Sequence, residues 1–378
     1  MLVAYVTPFY NGACEGKLGR FHDWVHTLRD MDERPFKYSL YPFTATNPDE
    51  SVASEPGCYL GDGDELWGTK EGTLERALNV RRIIRDLNEL DPDIVHVVLF
   101  DPIINQAMKW LDVDAEIVYG PNIGGWYPNR SLDILHRSEV ANWKLKSKFY
   151  LRKFLFTQEL MSAVLSFSEY HKEMIKHLGI PKSKITVLKP GVSSLFTPRP
   201  EPRENEQIEL LYVGKMSEQK GYPLTLRAIA KLETAVHLRV IGSGDSHDTL
   251  RRELGVADQV TVEGFVARER LPQYYNNADL FIMPSIDEMS PNTQFEALAC
   301  ATPVVATDTP GINEFLPEDA VRCFWPREPD VLASAINDAL NCLPLLSRAA
   351  AEHAEEFRAR TTVNQLDELY RSVRYNSL

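Results

Sequence analysis

Phe281-Ile-Met-Pro-Ser-Ile-Asp-Glu-Met-Ser-Pro-Asn-Thr-Gln-Phe-Glu-Ala-Leu-Ala-Cys300 carries the most information in this chain of 378 residues. Leu280–Met283 reads as a short buried strand. A polar loop follows it, bearing Asp287 and Glu288. Ser290 is a favoured N-cap and Pro291 suits a first helical position, so a helix is expected to open there. The amides of Asn292 and Thr293 would then stand at a helix start, where the peptide dipoles stabilise an anion. Glu296 lies one turn further in. Seven residues separate it from Glu288, so both carboxylates can line one pocket. A carboxylate accepts paired hydrogen bonds from adjacent hydroxyls, such as those of a sugar ring or a ribose. Taken alone, such glutamates are equally at home near a helix start for electrostatic reasons.

Outward from this stretch, short apolar runs alternate with longer segments of helical spacing. The expected strands are Leu2–Thr7, Ile94–Phe100, Glu116–Tyr119, Ala163–Ser168 and Ile185–Leu188, then Glu209–Val213, His237–Ile241, Gln259–Val262, Leu280–Met283 and Pro303–Ala306. Leu74, Leu78, Ile84 and Leu87 show the helical spacing between them, as do Leu224, Ile229 and Leu232. This alternation predicts an α/β protein with parallel sheets covered by helices. Residues 197–207 interrupt it with three prolines and five ionised side chains, a linker composition. The expected division is a first domain over 1–196, this linker over 197–207, a second domain over 208–350 and a helical segment over 351–378. Ligands of doubly wound sheets bind beyond the carboxyl ends of the strands, so residues just after strands are the candidates for a site.

Composition narrows the function. Hydrophobic residues make up 44% of the chain, enough for sizeable cores. The net charge of −13 lacks the basic footprint of a nucleic-acid binder. Five cysteines without Cys-x-x-Cys spacing argue for neither a disulfide framework nor a zinc site, and fit a reducing compartment. The amino terminus lacks the basic segment of a signal peptide, and no apolar run is long enough to span a bilayer. The expected location is cytoplasmic.

Other residues after strands point to phosphate. Glu209–Val213 runs into Gly214 and Lys215, and Lys220-Gly221 follows a short loop. Two lysines there can neutralise a diphosphate. Gly242-Ser-Gly-Asp245 follows His237–Ile241 and permits close backbone approach. The order Val-Gly-Lys215, Lys220-Gly, Ile-Gly-Ser-Gly, Val-Glu-Gly-Phe265, Ala-Asp-Leu-Phe-Ile-Met-Pro-Ser285, Glu288-x7-Glu296-Ala-Leu-Ala, Pro-Val-Val-Ala-Thr307 and Pro-Gly-Ile-Asn-Glu314 resembles the family-four glycosyltransferases. The resemblance covers about 110 residues. It implies a GT-B fold: two facing Rossmann-like domains with a deep interdomain cleft, and the C-terminal helical segment returning to the first domain.

The same resemblance implies a retaining, metal-independent transfer of a sugar, a hexose above all, from a UDP-, GDP- or other nucleoside-diphosphate sugar. The acceptor would be a hydroxyl of a glycan, a lipid-linked molecule or a small molecule. No cofactor is implied. Lys215 and Lys220 would hold the diphosphate, Glu288 the sugar hydroxyls and Glu296 the ribose. Ser290, Pro291, Asn292 and Thr293 would contact sugar and phosphate beside Gly242, and Phe265 and Val266 would border the base. Two departures stand out. Lys215 occupies a position that is usually arginine, losing the bidentate fork, and Ala301 replaces a usual glycine.

On the acceptor side, Gly16 and Gly19 lie in a glycine-rich loop after the first strand. Pro92-Asp-Ile-Val-His96 resembles a family strand whose histidine faces the cleft. Asn122 stands where many relatives carry a histidine, and it cannot act as a base. Residues 143–156 combine five cations with aromatic and aliphatic side chains and no acid. They read as a surface helix or as a peripheral contact with an anionic inner membrane face. The competing reading of the whole chain is a non-catalytic protein of the same fold that binds a sugar nucleotide or a partner.

Overall fold

Short strands buried on both faces build two separate parallel sheets. The computed structural model describes residues 1–7, 19–42, 72–99, 102–122, 158–177, 179–199, 207–286, 288 and 290–375. The chain divides into two compact units, Met1–Leu188 with Thr362–Leu378, and Lys189–Thr361. The first crossing therefore falls at Leu188, ahead of the Pro-rich run that begins at Thr197. Thr197 and Arg199 belong to the second unit, where Asn276 donates to the Thr197 carbonyl and accepts from the Arg199 amide, both at 2.9 Å.

The first unit carries β1 (Leu2–Thr7), α1 (Gly19–Asp30), β2 (Lys37–Pro42), α2 (Gly72–Leu90), β3 (Ile94–Leu99), α3 (Pro102–Ala107), β4 (Glu116–Asn122), β5 (Ala163–Ser166), α4 (Glu169–Lys176) and β6 (Ile185–Val187). Its sheet order is β2-β1-β3-β4-β5-β6, with every pair parallel. Val80, Ile83, Ile84 and Leu87 are buried on α2, the spacing of one helix face. β5 ends at Ser166, short of the expected Ser168. Ser168 instead caps α4, its Oγ accepting from the His171 amide at 3.0 Å.

The second unit carries β7 (Ile208–Val213), α5 (Tyr222–Ile229), β8 (Val236–Ile241), α6 (Asp248–Glu253), β9 (Val260–Gly264), α7 (Leu271–Asn277), β10 (Leu280–Met283), α8 (Asn292–Ala299), β11 (Val304–Thr307), β12 (Val321–Phe324), α9 (Pro329–Asn341) and α10 (Leu343–His353). The sheet order is β12-β11-β10-β7-β8-β9, again all parallel. Leu210, Tyr212, Leu280 and Ile282 fill the core on one face, and Leu211, Phe281 and Met283 fill it on the other. That is the period-two pattern of strands covered on both sides.

β2 and β12 are absent from the expected strands. Both are edge strands. An edge needs only one neighbour and tolerates polar residues, so Lys37-Tyr-Ser-Leu-Tyr-Pro42 and Val321-Arg-Cys-Phe324 carry weak apolar signals.

α11 (Ala359–Tyr375) starts in the second unit, and its residues from Thr362 onward belong to the first. Val363, Leu366 and Tyr370 are buried along one face. Tyr370 reaches a polar group in the first core and corrects the reading of His96. That histidine is fully buried in mid-β3, not open to a ligand. Its Nε2 donates to the Gly120 carbonyl at 2.6 Å, so its Nδ1 accepts from the Tyr370 hydroxyl at 2.5 Å. The Tyr5 hydroxyl lies 3.2 Å from that of Tyr370. A core polar group is retained when its bonds are complete, and here the helix that returns from the second unit completes them.

Burial pushes the imidazoles of His96 and His171 down to about 4. In the unfolded chain both would take a proton near 6.5. Their stabilising contribution is therefore full above pH 6.5 and is lost as pH falls from there toward 4. Each should cost about 3 kcal/mol across that window. Urea unfolding at about pH 7 and about pH 4.5 should show the loss, and NMR should show both rings neutral at about pH 5.5. A ring titrating near its ordinary value would contradict the burial.

Candidate functional site

The order of the second sheet reverses between β7 and β10. β7 has its chain successor β8 on one side and β10 on the other. Chain connections leave the two strands in opposite directions, which opens a crevice beyond their carboxyl ends, where doubly wound sheets hold ligands. The loop after β7 carries Lys215 and Lys220, and the loop after β10 carries Glu288.

Three contacts shape these loops. The buried Tyr212 hydroxyl donates to the Lys215 carbonyl at 2.8 Å, with the Lys220 carbonyl 3.3 Å away. Burial holds that phenol far above its usual range, so it remains a donor. The Ile286 amide donates to the Gln219 carbonyl at 2.9 Å and ties one loop to the other. Arg327, from the segment after β12, donates to the Pro284 carbonyl through Nε at 3.2 Å and Nη2 at 2.9 Å. Across the crevice, Lys220 Nζ donates to Glu288 Oε1 in a half-buried ion pair. Lys215 is exposed at the mouth of its loop.

The helix start differs by one residue from the sequence expectation. Pro291 is the N-cap of α8, with φ −73° and ψ 136°, and Asn292 is the first helical residue. Ser290 precedes the cap. A proline disfavours helical geometry in the residue before it, and its own extended ψ delays the helix by one position. Asn292, Thr293 and Gln294 thus supply the first helical amides, groups for which a helix has no internal acceptor. Gln294 is buried and donates through Nε2 to the Ile312 carbonyl at 2.7 Å, anchoring the segment Pro310–Glu314 to α8.

Glu296 is 2% exposed. Its Oε1 accepts from Arg268 Nη1 at 2.8 Å and its Oε2 from the Tyr275 hydroxyl at 3.0 Å. Phe265, three residues before Arg268, follows β9 and is 66% exposed, while Val266 packs partly against the core. Gly242 has φ +143°, and the backbone that approaches it is that of Gly214, not of a ligand. Its amide donates to the Gly264 carbonyl at 2.8 Å. Tyr212, Arg268, Tyr275 and Gln294 are not among the sequence candidates. Each is buried or half-buried; Arg268, Tyr275 and Gln294 reach partners on other elements, and Tyr212 braces the loop that follows its own strand.

In the first unit the corresponding reversal lies between β1 and β3. Gly19 opens α1 and Asn122 closes β4. Gly16 and residues 143–156 lie outside the described residues. Among the described residues, no group of three or more His, Cys, Asp or Glu side chains is gathered to hold a metal ion, and no helix is long and apolar enough to cross a membrane.

Two family models match the chain, Glycosyltransferase Family 4 over residues 25–194 and Glycosyl transferases group 1 over residues 207–342. A D-inositol 3-phosphate glycosyltransferase of Mycolicibacterium smegmatis is 36% identical over 216 residues, which cover 52% of this chain and 49% of that protein. The chain spans about half the length of the curated relatives it matches. Among solved structures, the lipopolysaccharide outer core galactosyltransferase WaaB is 19% identical with a TM-score of 0.69, covering 100% of both chains. Anabaena HepE in complex with UDP-glucose is 17% identical with a TM-score of 0.70, covering 98% of this chain and 100% of that one. The two sheets match these GT-B structures in fold. With both units matched in order, the chain belongs to the family-four glycosyltransferases and has their GT-B fold of two Rossmann-like domains.

Proposed function

We propose that this protein transfers a sugar, with retention of configuration and without a metal, from a nucleoside-diphosphate sugar to an acceptor hydroxyl. The observation that carries this reading is the pairing of Lys220 with Glu288 across the β7–β10 crevice. One group suits a phosphate and the other suits sugar hydroxyls, and they stand within one ligand's reach of each other. As the bond between the anomeric carbon and the diphosphate breaks, negative charge grows on the phosphate. Lys215, Lys220 and the amides at the start of α8 oppose that charge. The acceptor oxygen forms the new bond on the face that the phosphate leaves, and its proton passes to a phosphate oxygen. No carboxylate base is needed in this scheme. A nucleotide site in HepE, crystallised with UDP-glucose, makes uridine donors the first to test.

The test is a thermal-shift panel of UDP-, GDP- and ADP-sugars and their free diphosphates, run in EDTA. A ligand that binds only the folded state raises the midpoint by mass action. At least one donor should do so, and release of its diphosphate should follow when candidate acceptors are added. No shift from any nucleoside diphosphate would overturn the reading.

A further inference from the structure

Two N–H groups of Arg327 meet on one oxygen, the Pro284 carbonyl, through Nε at 3.2 Å and Nη2 at 2.9 Å. Arg327 follows β12, and Pro284 is the first residue after β10. Proline has no N–H, so its backbone can be held by hydrogen bonds only through the carbonyl. Arg327 is half-buried. Burial lowers its pKa, and the charge of Glu218, in the loop after β7, works against that. A cation drawn out of water is costly, and this one is aimed at a single backbone oxygen.

The same oxygen lies against the loop that carries Lys220. A Cβ built on Gly221 would stand 2.2 Å from it and 2.8 Å from the Pro284 carbonyl carbon. Two residues on, the Ile286 amide donates to the Gln219 carbonyl at 2.9 Å. Gln219 and Gly221 are thus each set against the loop after β10, and Lys220 stands between them. Glu288 comes two residues after Ile286 and pairs with Lys220. Arg327 adds a side-chain grip from a third loop to these backbone contacts.

We propose that Arg327 is a positioning residue of the transfer, one that holds the loop after β10 in the register at which Glu288 meets Lys220. This rests on the donor reading above. Arg327 grips the loop that carries Glu288, so its effect falls on the donor sugar and not on the diphosphate. Lys215 and Lys220 keep a support of their own, since the Tyr212 hydroxyl donates to the Lys215 carbonyl at 2.8 Å and lies 3.3 Å from that of Lys220. A shift of about 1 Å in a group that orients substrate is worth up to about a hundredfold in rate.

The experiment is a double-mutant cycle read by calorimetry. The full chain is titrated with UDP, GDP and ADP and with their glucose, galactose and mannose conjugates. It is used as the parent, Arg327→Gln, Arg327→Lys, Glu288→Ala and the double variant Arg327→Gln with Glu288→Ala, with melting midpoints recorded for each. Arg327→Gln should lower affinity for the sugar conjugate by about tenfold relative to the free diphosphate, and should change that ratio no further once Glu288 is alanine. Arg327→Lys keeps the charge but loses the paired grip, so its ratio should fall between those of the parent and Arg327→Gln. A merely structural role would lower the midpoint and both affinities together and leave the ratio untouched, which would overturn the proposal. Loss of affinity for the free diphosphate would make Arg327 a phosphate ligand and overturn it too. An equal change of ratio with and without Glu288 would also overturn it, with the donor reading intact. A parent that binds no nucleoside diphosphate would sink the donor reading and this proposal with it.

Discussion

Glu288→Ala is expected to lose sugar transfer by about a hundredfold or more while binding the free nucleoside diphosphate more tightly than the parent. The two halves of this result have different causes. Transfer falls because the group that would hold the sugar hydroxyls is gone. Diphosphate affinity rises because Glu288 pairs with Lys220, and a phosphate must compete for that ammonium. The pair is partly open to water, with the Lys220 side chain 35% exposed, so the competition is modest. A gain of about threefold in affinity is expected. Glu288→Gln should behave alike, because an amide keeps the shape and drops the charge. The checks are calorimetry with UDP and UDP-glucose and a diphosphate-release assay. Undiminished transfer would refute the sugar role. A parallel fall in diphosphate affinity would show that Glu288 supports the phosphate site instead of restraining it.

The second large effect concerns Gly242. A Cβ built there would lie 1.9 Å from the Gly214 carbonyl oxygen and 2.7 Å from its carbon, both backbone atoms. No rotamer change relieves such a clash. The loops after β7 and β8 would have to part, and they are pinned where the Met216 amide donates to the Ser243 carbonyl at 2.8 Å and the Gly214 amide to the Ile241 carbonyl at 2.9 Å. Gly242→Ala should cost roughly 3–5 kcal/mol, at the upper end for a single substitution. It should also weaken diphosphate binding, because the displaced loop carries Lys215 and Lys220. Gly255→Ala is the control. That glycine also has positive φ, at +70°, but a Cβ there meets nothing within 4 Å. It should cost only the left-handed penalty of about 1–2 kcal/mol. Equal losses for the two variants, read from denaturant midpoints, would show that backbone strain and not the clash decides.

The contrast between those glycines also shows how the site could and could not be read. Lys215, Lys220 and Glu288 follow apolar strands, and a residue after a parallel strand is placed at the carboxyl edge by chain geometry alone. Gly242 reads in the sequence as room for a ligand, whereas the Gly214 backbone, just past the end of β7, lies against it. His96 reads as a candidate facing a ligand. It is satisfied by Gly120 and by Tyr370, the latter 274 residues away. Nothing near position 96 marks that partner. Ser290 and Pro291 each fit a helix start, and only the observed ψ of Pro291 decides which of them is the cap.

What the sequence determined by itself is the class of the fold, the central and strongly apolar strands and the placing of the charged residues Lys215, Lys220 and Glu288 in the loops after β7 and β10. These depend on apolar period and on position after a strand, both local quantities. What only the tertiary structure decided is which polar groups are already spoken for. Glu296 has Arg268 and Tyr275 on its two oxygens, Glu288 has Lys220, and the buried His96 has Tyr370. Edge strands β2 and β12 belong with these, since a neighbour and not their own pattern makes them strands. Hydrogen-bond partners are chosen by the stacking of strands and helices remote in the chain, and no spacing along one segment records that choice.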